Sequence, residues 1–200
     1  MRTKIFVAAL IASSAFAAPA FAQDSGFTGP RVEGVVGWDR VDDGSASNTP
    51  SSDGVVYGGA VGYDFQAGNA VIGFEGEATG STNDQEVSDV VTAGDNFRVK
   101  AGRDLYVGGR LGFLAGPRTM IYAKGGYTNA QVETRYTAGN ATTIVKDDLD
   151  GWRLGAGAEF KLNDKVYLKG EYRYSNYSKM DGADVDIDRH QIVGGVGIRF

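Results

Sequence analysis

Two hundred residues with 30 glycines, four prolines, no cysteine and a formal charge of −5 describe a single ordered domain that cannot rely on disulfides. Glycine is about twice its usual share of roughly 7%, but with so little proline beside it a disordered low-complexity chain is a poor explanation. The acidic balance disfavours nucleic acid as a partner.

Arg2 and Lys4 precede an apolar run over residues 5–17, and Ala20-Phe21-Ala22 follows before Gln23. This is the pattern of a secretory signal peptide with an A-x-A cleavage site, and the run is too short for a membrane-spanning helix. The expected division is therefore residues 1–22 as signal peptide and residues 23–200 as the working domain. Without Arg2 and Lys4 that domain carries 18 basic and 25 acidic residues, a charge of −7.

Alternation then begins. Val32, Gly34, Val36 and Trp38 oppose Arg31, Glu33, Gly37 and Asp39, which predicts a first strand. After a polar stretch (42–54), Tyr57, Gly59, Val61, Tyr63 and Phe65 oppose Gly58, Ala60, Gly62 and Asp64. A tight turn at 66–69 leads to Ile72, Phe74, Gly76 and Ala78 against Gly73, Glu75, Glu77 and Thr79, and then to a polar segment over 81–96. The fourth strand, from about residue 101 to 114, sets Leu105, Val107, Leu111 and Phe113 against Asp104, Tyr106, Gly108, Arg110 and Gly112.

Past a turn at 115–118, Ile121, Ala123, Gly125 and Tyr127 oppose Tyr122, Lys124, Gly126 and Thr128. A polar excursion over 133–150 follows, in which 132–136 facing 142–146 could prolong the hairpin. Trp152, Leu154, Ala156, Ala158 and Phe160 then oppose Arg153, Gly155, Gly157, Glu159 and Lys161. After a tight turn at Asn163-Asp164, Val166, Leu168, Gly170, Tyr172 and Tyr174 oppose Tyr167, Lys169, Glu171, Arg173 and Ser175. Residues 176–188 return the chain to the last strand, in which His190, Ile192, Gly194, Val196, Ile198 and Phe200 share a face. Eight strands of about 9 to 12 residues suit a tilted bilayer crossing, and their connections alternate between short and long as in a membrane barrel.

Alternation alone does not say whether the apolar face meets lipid outside or a ligand cavity inside. Aromatic placement favours lipid. Trp38, Tyr57, Tyr127, Trp152, Tyr172 and Tyr174 fall at the long-loop rim, with Tyr63, Phe65, Phe113, Phe160 and Phe200 at the short-turn rim, giving two girdles. The polar face balances Glu33, Glu75, Glu77, Glu159 and Glu171 against Arg110, Lys124, Arg153, Lys169 and Arg173. An eight-stranded barrel is just wide enough for such side chains to fill, so a structural ion network is expected and an open pore is not.

Catalytic chemistry finds little purchase. The single histidine, His190, has Ile192 as its same-face neighbour and no serine beside it, so a membrane lipase or deacylase lacks its nucleophile and base. One histidine and no cysteine make a zinc site improbable. Asp147, Asp148 and Asp150, and Asp184, Asp186 and Asp188, lack the glycine and bidentate glutamate of a calcium loop; solvated loops are expected, with divalent bridging to lipopolysaccharide phosphates as the minor alternative.

Residues 151–160, 172–177 and 190–200 resemble the small eight-stranded outer-membrane β-barrels of Gram-negative bacteria, the opacity-type surface antigens often labelled a porin family, and the OmpA- and OmpX-like barrels. The resemblance covers essentially all of residues 23–200. It implies an all-β, eight-stranded antiparallel up-and-down transmembrane β-barrel in the cell outer membrane, and a terminal Phe200 read by the assembly machinery. It also implies partners in outer-membrane lipid, lipopolysaccharide, the assembly machinery and periplasmic chaperones, with an extracellular ligand for the loops. The expected role is non-enzymatic and cofactor-free, supporting the envelope and making surface contacts through four extracellular loops. A narrow porin-like channel is the alternative, and an outer-membrane lipid-modifying enzyme the more remote one.

Overall fold

Each alternating segment forms a strand whose charged residues turn inward and whose aliphatic and aromatic residues turn outward. A computed structural model describes residues 26–42, 52–88, 96–138, 141–180 and 183–200. The strands are β1 (Gly29–Asp42), β2 (Ser52–Ala67), β3 (Ala70–Ser81), β4 (Asp84–Ser88), β5 (Asn96–Leu114), β6 (Thr119–Ala138), β7 (Ala141–Lys161), β8 (Val166–Met180) and β9 (Ala183–Arg199). The expected signal peptide lies outside the described residues.

The sheet order is β3-β2-β1-β9-β8-β7-β6-β5-β4, and β3 also pairs with β5. That last pairing closes the sheet. The short β4 pairs with β5 above the end of β3, so the nine segments make eight antiparallel staves. The seam between first and last strand runs from Arg31↔Arg199 to Asp42↔Asp188. Closure leaves no open edge at membrane depth, the condition for a sheet to exist in hydrocarbon.

The strands are longer than alternation predicts, because the polar excursions keep their ladders. β6 and β7 stay paired from Thr119↔Phe160 to Ala138↔Ala141, and β8 and β9 from Val166↔Ile198 to Met180↔Ala183. The return segment expected over 176–188 is thus mostly hairpin, and the polar segment over 81–96 contains β4. Apolar alternation ends where lipid ends. Backbone pairing continues into water because each amide and carbonyl still needs a partner. Register shifts at Ala101/Asp104, Asp150/Gly151 and Tyr177/Lys179 mark the upper part of the staves.

Burial inverts that of a water-soluble protein. Large apolar side chains along the outer surface, among them Val36, Val61, Phe74, Leu111, Leu154 and Ile192, belong to a set 42–70% exposed. Such a continuous apolar surface is stable only against lipid. Close packing inside requires glycine: a Cβ at Gly197 would lie 2.2 Å from the Tyr167 ring, and one at Gly73 would lie 2.1 Å from Asp64 Oδ1.

Candidate functional site: a charge-filled lumen

Sixteen charged side chains are buried among the described residues, eight acids and eight bases. The acids are Glu33, Asp39, Asp64, Glu75, Glu77, Asp104, Glu159 and Glu171. The bases are Arg31, Arg110, Lys124, Arg153, Lys169, Arg173, Arg189 and Arg199. Formal charge cancels, and each member lies within ion-pair distance of an opposite charge.

Near the short-turn end the network is a ring. Asp64 accepts from Arg110 Nε at 2.8 Å and from Arg199 at 2.8 Å, and Glu159 accepts from the same two arginines at 3.1 and 2.7 Å. Arg31 adds a third guanidinium, 3.2 Å from Asp64, and reaches up to Glu33 and Glu75. In the next layer, Lys124 bridges Glu75 at 2.6 Å and Glu171 at 2.8 Å, while Lys169 pairs with Glu33. Tyr167 and Tyr122 donate to Glu33 and Glu171 at 2.7 and 2.6 Å.

Arg173 links this layer to the one above, donating to Glu171 and in a two-pronged contact to Glu77 at 2.6 Å on each oxygen. Arg153 spans Glu77 at 3.3 Å, Asp104 at 2.5 Å and Ser175 at 2.8 Å. Arg189 then joins Asp104 at 2.7 Å to Asp39, which it grips through Nε and Nη2, both at 2.7 Å. Ser81 and Gln191 complete the set around Asp39 at 2.6 and 3.3 Å. Planar guanidinium forks suit this work, since one arginine can hold several carboxylates in fixed directions.

The ten inward charged residues named from the sequence all sit in this lumen, and all are members of the network. Arg31, Asp39, Asp64, Asp104, Arg189 and Arg199 join them. Phe27 closes the base. It is fully buried against Val71, Met120 and Tyr122, with the Arg199 guanidinium 5.3 Å and the Lys161 ammonium 5.4 Å from its ring. Its amide donates to Gln66 Oε1 at 3.0 Å, and Gln66 N returns a bond to Thr28 Oγ1. The only sequence signal was an aromatic between Gly26 and Gly29, before any periodic segment.

On the outer face, the aromatic rings line two rims. Trp152 and Tyr174 pack at 5.3 Å, Tyr174 and His190 at 5.2 Å, and Tyr63 stacks on Phe74 at 6.2 Å. Trp38, Tyr57, Tyr127 and Tyr172 are exposed toward the long-hairpin rim, and Phe65, Phe113, Phe160 and Phe200 toward the short-turn rim. His190 Nδ1 lies 2.7 Å from the Tyr172 hydroxyl, an anchoring contact on the lipid-facing side. The clamp formed by Asn129 and Tyr127 on Asp150 recurs as Asn176 and Tyr174 on Asp188. Among the described residues, no group of three or more His, Asp or Glu side chains is placed to hold a metal ion.

A closed antiparallel sheet, apolar and aromatic outside and ionic inside, defines a transmembrane β-barrel. Residues 8–200 match the family described as Outer membrane protein beta-barrel domain, and the chain belongs to that family. It is 31% identical over 173 residues to the 31 kDa outer-membrane immunogenic protein of Brucella melitensis, covering 78% of this chain and 70% of that one. The 25 kDa outer-membrane immunogenic protein of Brucella ovis is 27% identical over 92% of this chain and 81% of its own length. Among solved structures, Neisserial surface protein A superposes with a TM-score of 0.58 at 12% identity, covering 86% of this chain and 98% of that one. Ail of Yersinia pestis, in complex with the heparin analogue sucrose octasulfate, gives 0.53 at 15% identity over 86% of this chain and 99% of its own. The protein is an outer-membrane β-barrel and a relative of outer-membrane immunogenic proteins.

Proposed function

We propose that this protein is a non-enzymatic barrel that supports the integrity of the outer membrane and makes surface contacts through its four long hairpins. The observation that supports this reading is the fully paired lumen. Eight acids against eight bases occupy the interior that a diffusion channel would need, and the outer wall is committed to lipid. The hairpin crown is then the main surface left for recognition, as the short turns and long loops of such barrels place it outside the cell.

Charge sets the kind of partner. Segments 40–56, 80–103, 129–150 and 175–190 hold 15 acids and 8 bases, and with Arg189 turned into the lumen the crown is left with a charge of −8. A polyanion such as the sucrose octasulfate seen with Ail is repelled by this crown, and a basic protein surface is attracted. Lipopolysaccharide meets the barrel at the long-hairpin girdle, and periplasmic chaperones and the assembly machinery deliver it there.

The two roles separate genetically. Deleting the gene should sensitise cells to detergent and reduce attachment to a basic protein-coated surface. A chain with residues 133–148 replaced by a short turn should restore detergent resistance but not attachment. Restoration of both by the shortened chain would remove the β6–β7 hairpin from the proposal.

A further inference from the structure

At the short-turn mouth, a cavity of about 490 Å³ opens between residues 26–27 and the three tight turns. Two of its lining residues, Arg118 and Lys161, are cations of a different kind from those above. Every buried lumen cation has a carboxylate within 4.0 Å, whereas among the described residues neither of these two does. Their backbones are held side by side at the strand ends, where Lys161 N donates to Arg118 O at 2.8 Å. The Lys161 ammonium is further fixed over the Phe27 ring at 5.4 Å, against Gly26.

The remaining walls limit the ligand. Leu114 and Pro117 supply apolar surface and Asn69 an amide, while the buried Phe27 ring forms the floor beneath Lys161. Asp164 also lines the cavity, so the mouth favours a monoanion over a phosphate dianion. The volume falls within the roughly 300–1,000 Å³ of small-molecule sites and suits a ligand with one charged end, an amide and small apolar groups.

We propose that this mouth binds the free carboxylate end of a short peptide, with Arg118 and Lys161 on the carboxylate and Leu114 and Pro117 against the terminal side chains. Arginine is suited to the task because its fork matches a carboxylate in two parallel bonds. Two sources present this chemistry on the periplasmic side: cell-wall peptides ending in D-alanine and the L-configured ends of exported polypeptides. The site goes beyond the role of the hairpin crown and is independent of it.

The test uses residues 23–200 refolded in detergent micelles, titrated by calorimetry with N-acetyl-L-Ala-L-Ala, N-acetyl-D-Ala-D-Ala and the L-dipeptide amide. At least one acid should bind saturably and about tenfold more tightly than the amide. Arg118→Gln and Lys161→Gln, each checked for the gel mobility of a folded barrel, should each weaken it by about tenfold. A preference for the D-dipeptide supports a cell-wall source, and a preference for the L-dipeptide supports polypeptide ends. Absence of saturation at about 10 mM, equal binding of the amide, or inorganic phosphate binding more tightly than either acid would overturn the proposal.

Discussion

Asp64→Asn removes one negative charge from the base of the lumen while leaving the side-chain shape nearly unchanged. Asp64 faces Arg110, Arg199 and Arg31 at 2.5, 2.8 and 3.2 Å, with both partners of every pair essentially buried. Arg110 and Arg199 would retain only Glu159 between them, and the lumen would carry a charge of +1 in place of zero. Removing one partner of a buried ion pair costs about 3–5 kcal/mol, because the charge left behind stays desolvated. At about 1.4 kcal/mol per factor of ten, that is a loss of roughly a hundred- to several-thousandfold in the folding constant. The control is Asp148→Asn, since Asp148 meets Arg103 at 3.5 Å with side chains 54% and 45% exposed, a pair worth at most about 1 kcal/mol. Urea unfolding from lipid vesicles, followed by fluorescence of Trp38 and Trp152 on the lipid-facing surface, measures both. A loss for Asp64→Asn no larger than that for Asp148→Asn would refute the claim that the lumen network is a desolvated, mutually dependent set.

Three further outcomes are expected. Gly29 has φ +129°, and a Cβ there would lie 2.2 Å from Phe200 O, so Gly29→Ala should cost about 1–3 kcal/mol from backbone strain alone in the same urea assay; an unchanged midpoint would show that the seam tolerates a side chain there. Phe200 points outward, 70% exposed, so Phe200→Ala should refold in vesicles almost as well as the parent while its level in outer-membrane fractions of cells falls several-fold; equal loss in both settings would make Phe200 a stability residue and not an assembly signal. Residues 23–200 in detergent or lipid should run differently on gels before and after heating, and should not give a monodisperse fold in plain buffer. A soluble fold would invert the faces.

Strand alternation made the eight staves legible, because lipid on one side and a polar interior on the other impose a strict period of two. The inward parity of Glu33, Glu75, Arg153 and their companions follows from the same pattern. Their partners do not. Arg189 and Asp39 are 150 residues apart in sequence and meet only because the sheet closes. Arg31, Asp39, Asp64, Asp104 and Arg199 shared the inward parity, but their places near strand ends concealed their membership in a network that runs the length of the lumen. Arg189 fell between the return segment read over 176–188 and the strand read from His190, since hairpins continue into water with no apolar face to mark them. Phe27 was invisible for a different reason: one aromatic ahead of the first strand has no period.

The central claim is that the barrel's own paired charges fill its interior, leaving the hairpin crown as the main surface for recognition. Planar-bilayer recording of refolded, heat-shift-verified protein tests it most directly. A closed lumen predicts no discrete conductance above that of the bare bilayer; a reproducible unitary conductance whose size changes in Asp64→Asn would contradict it and place a solute path among these charges.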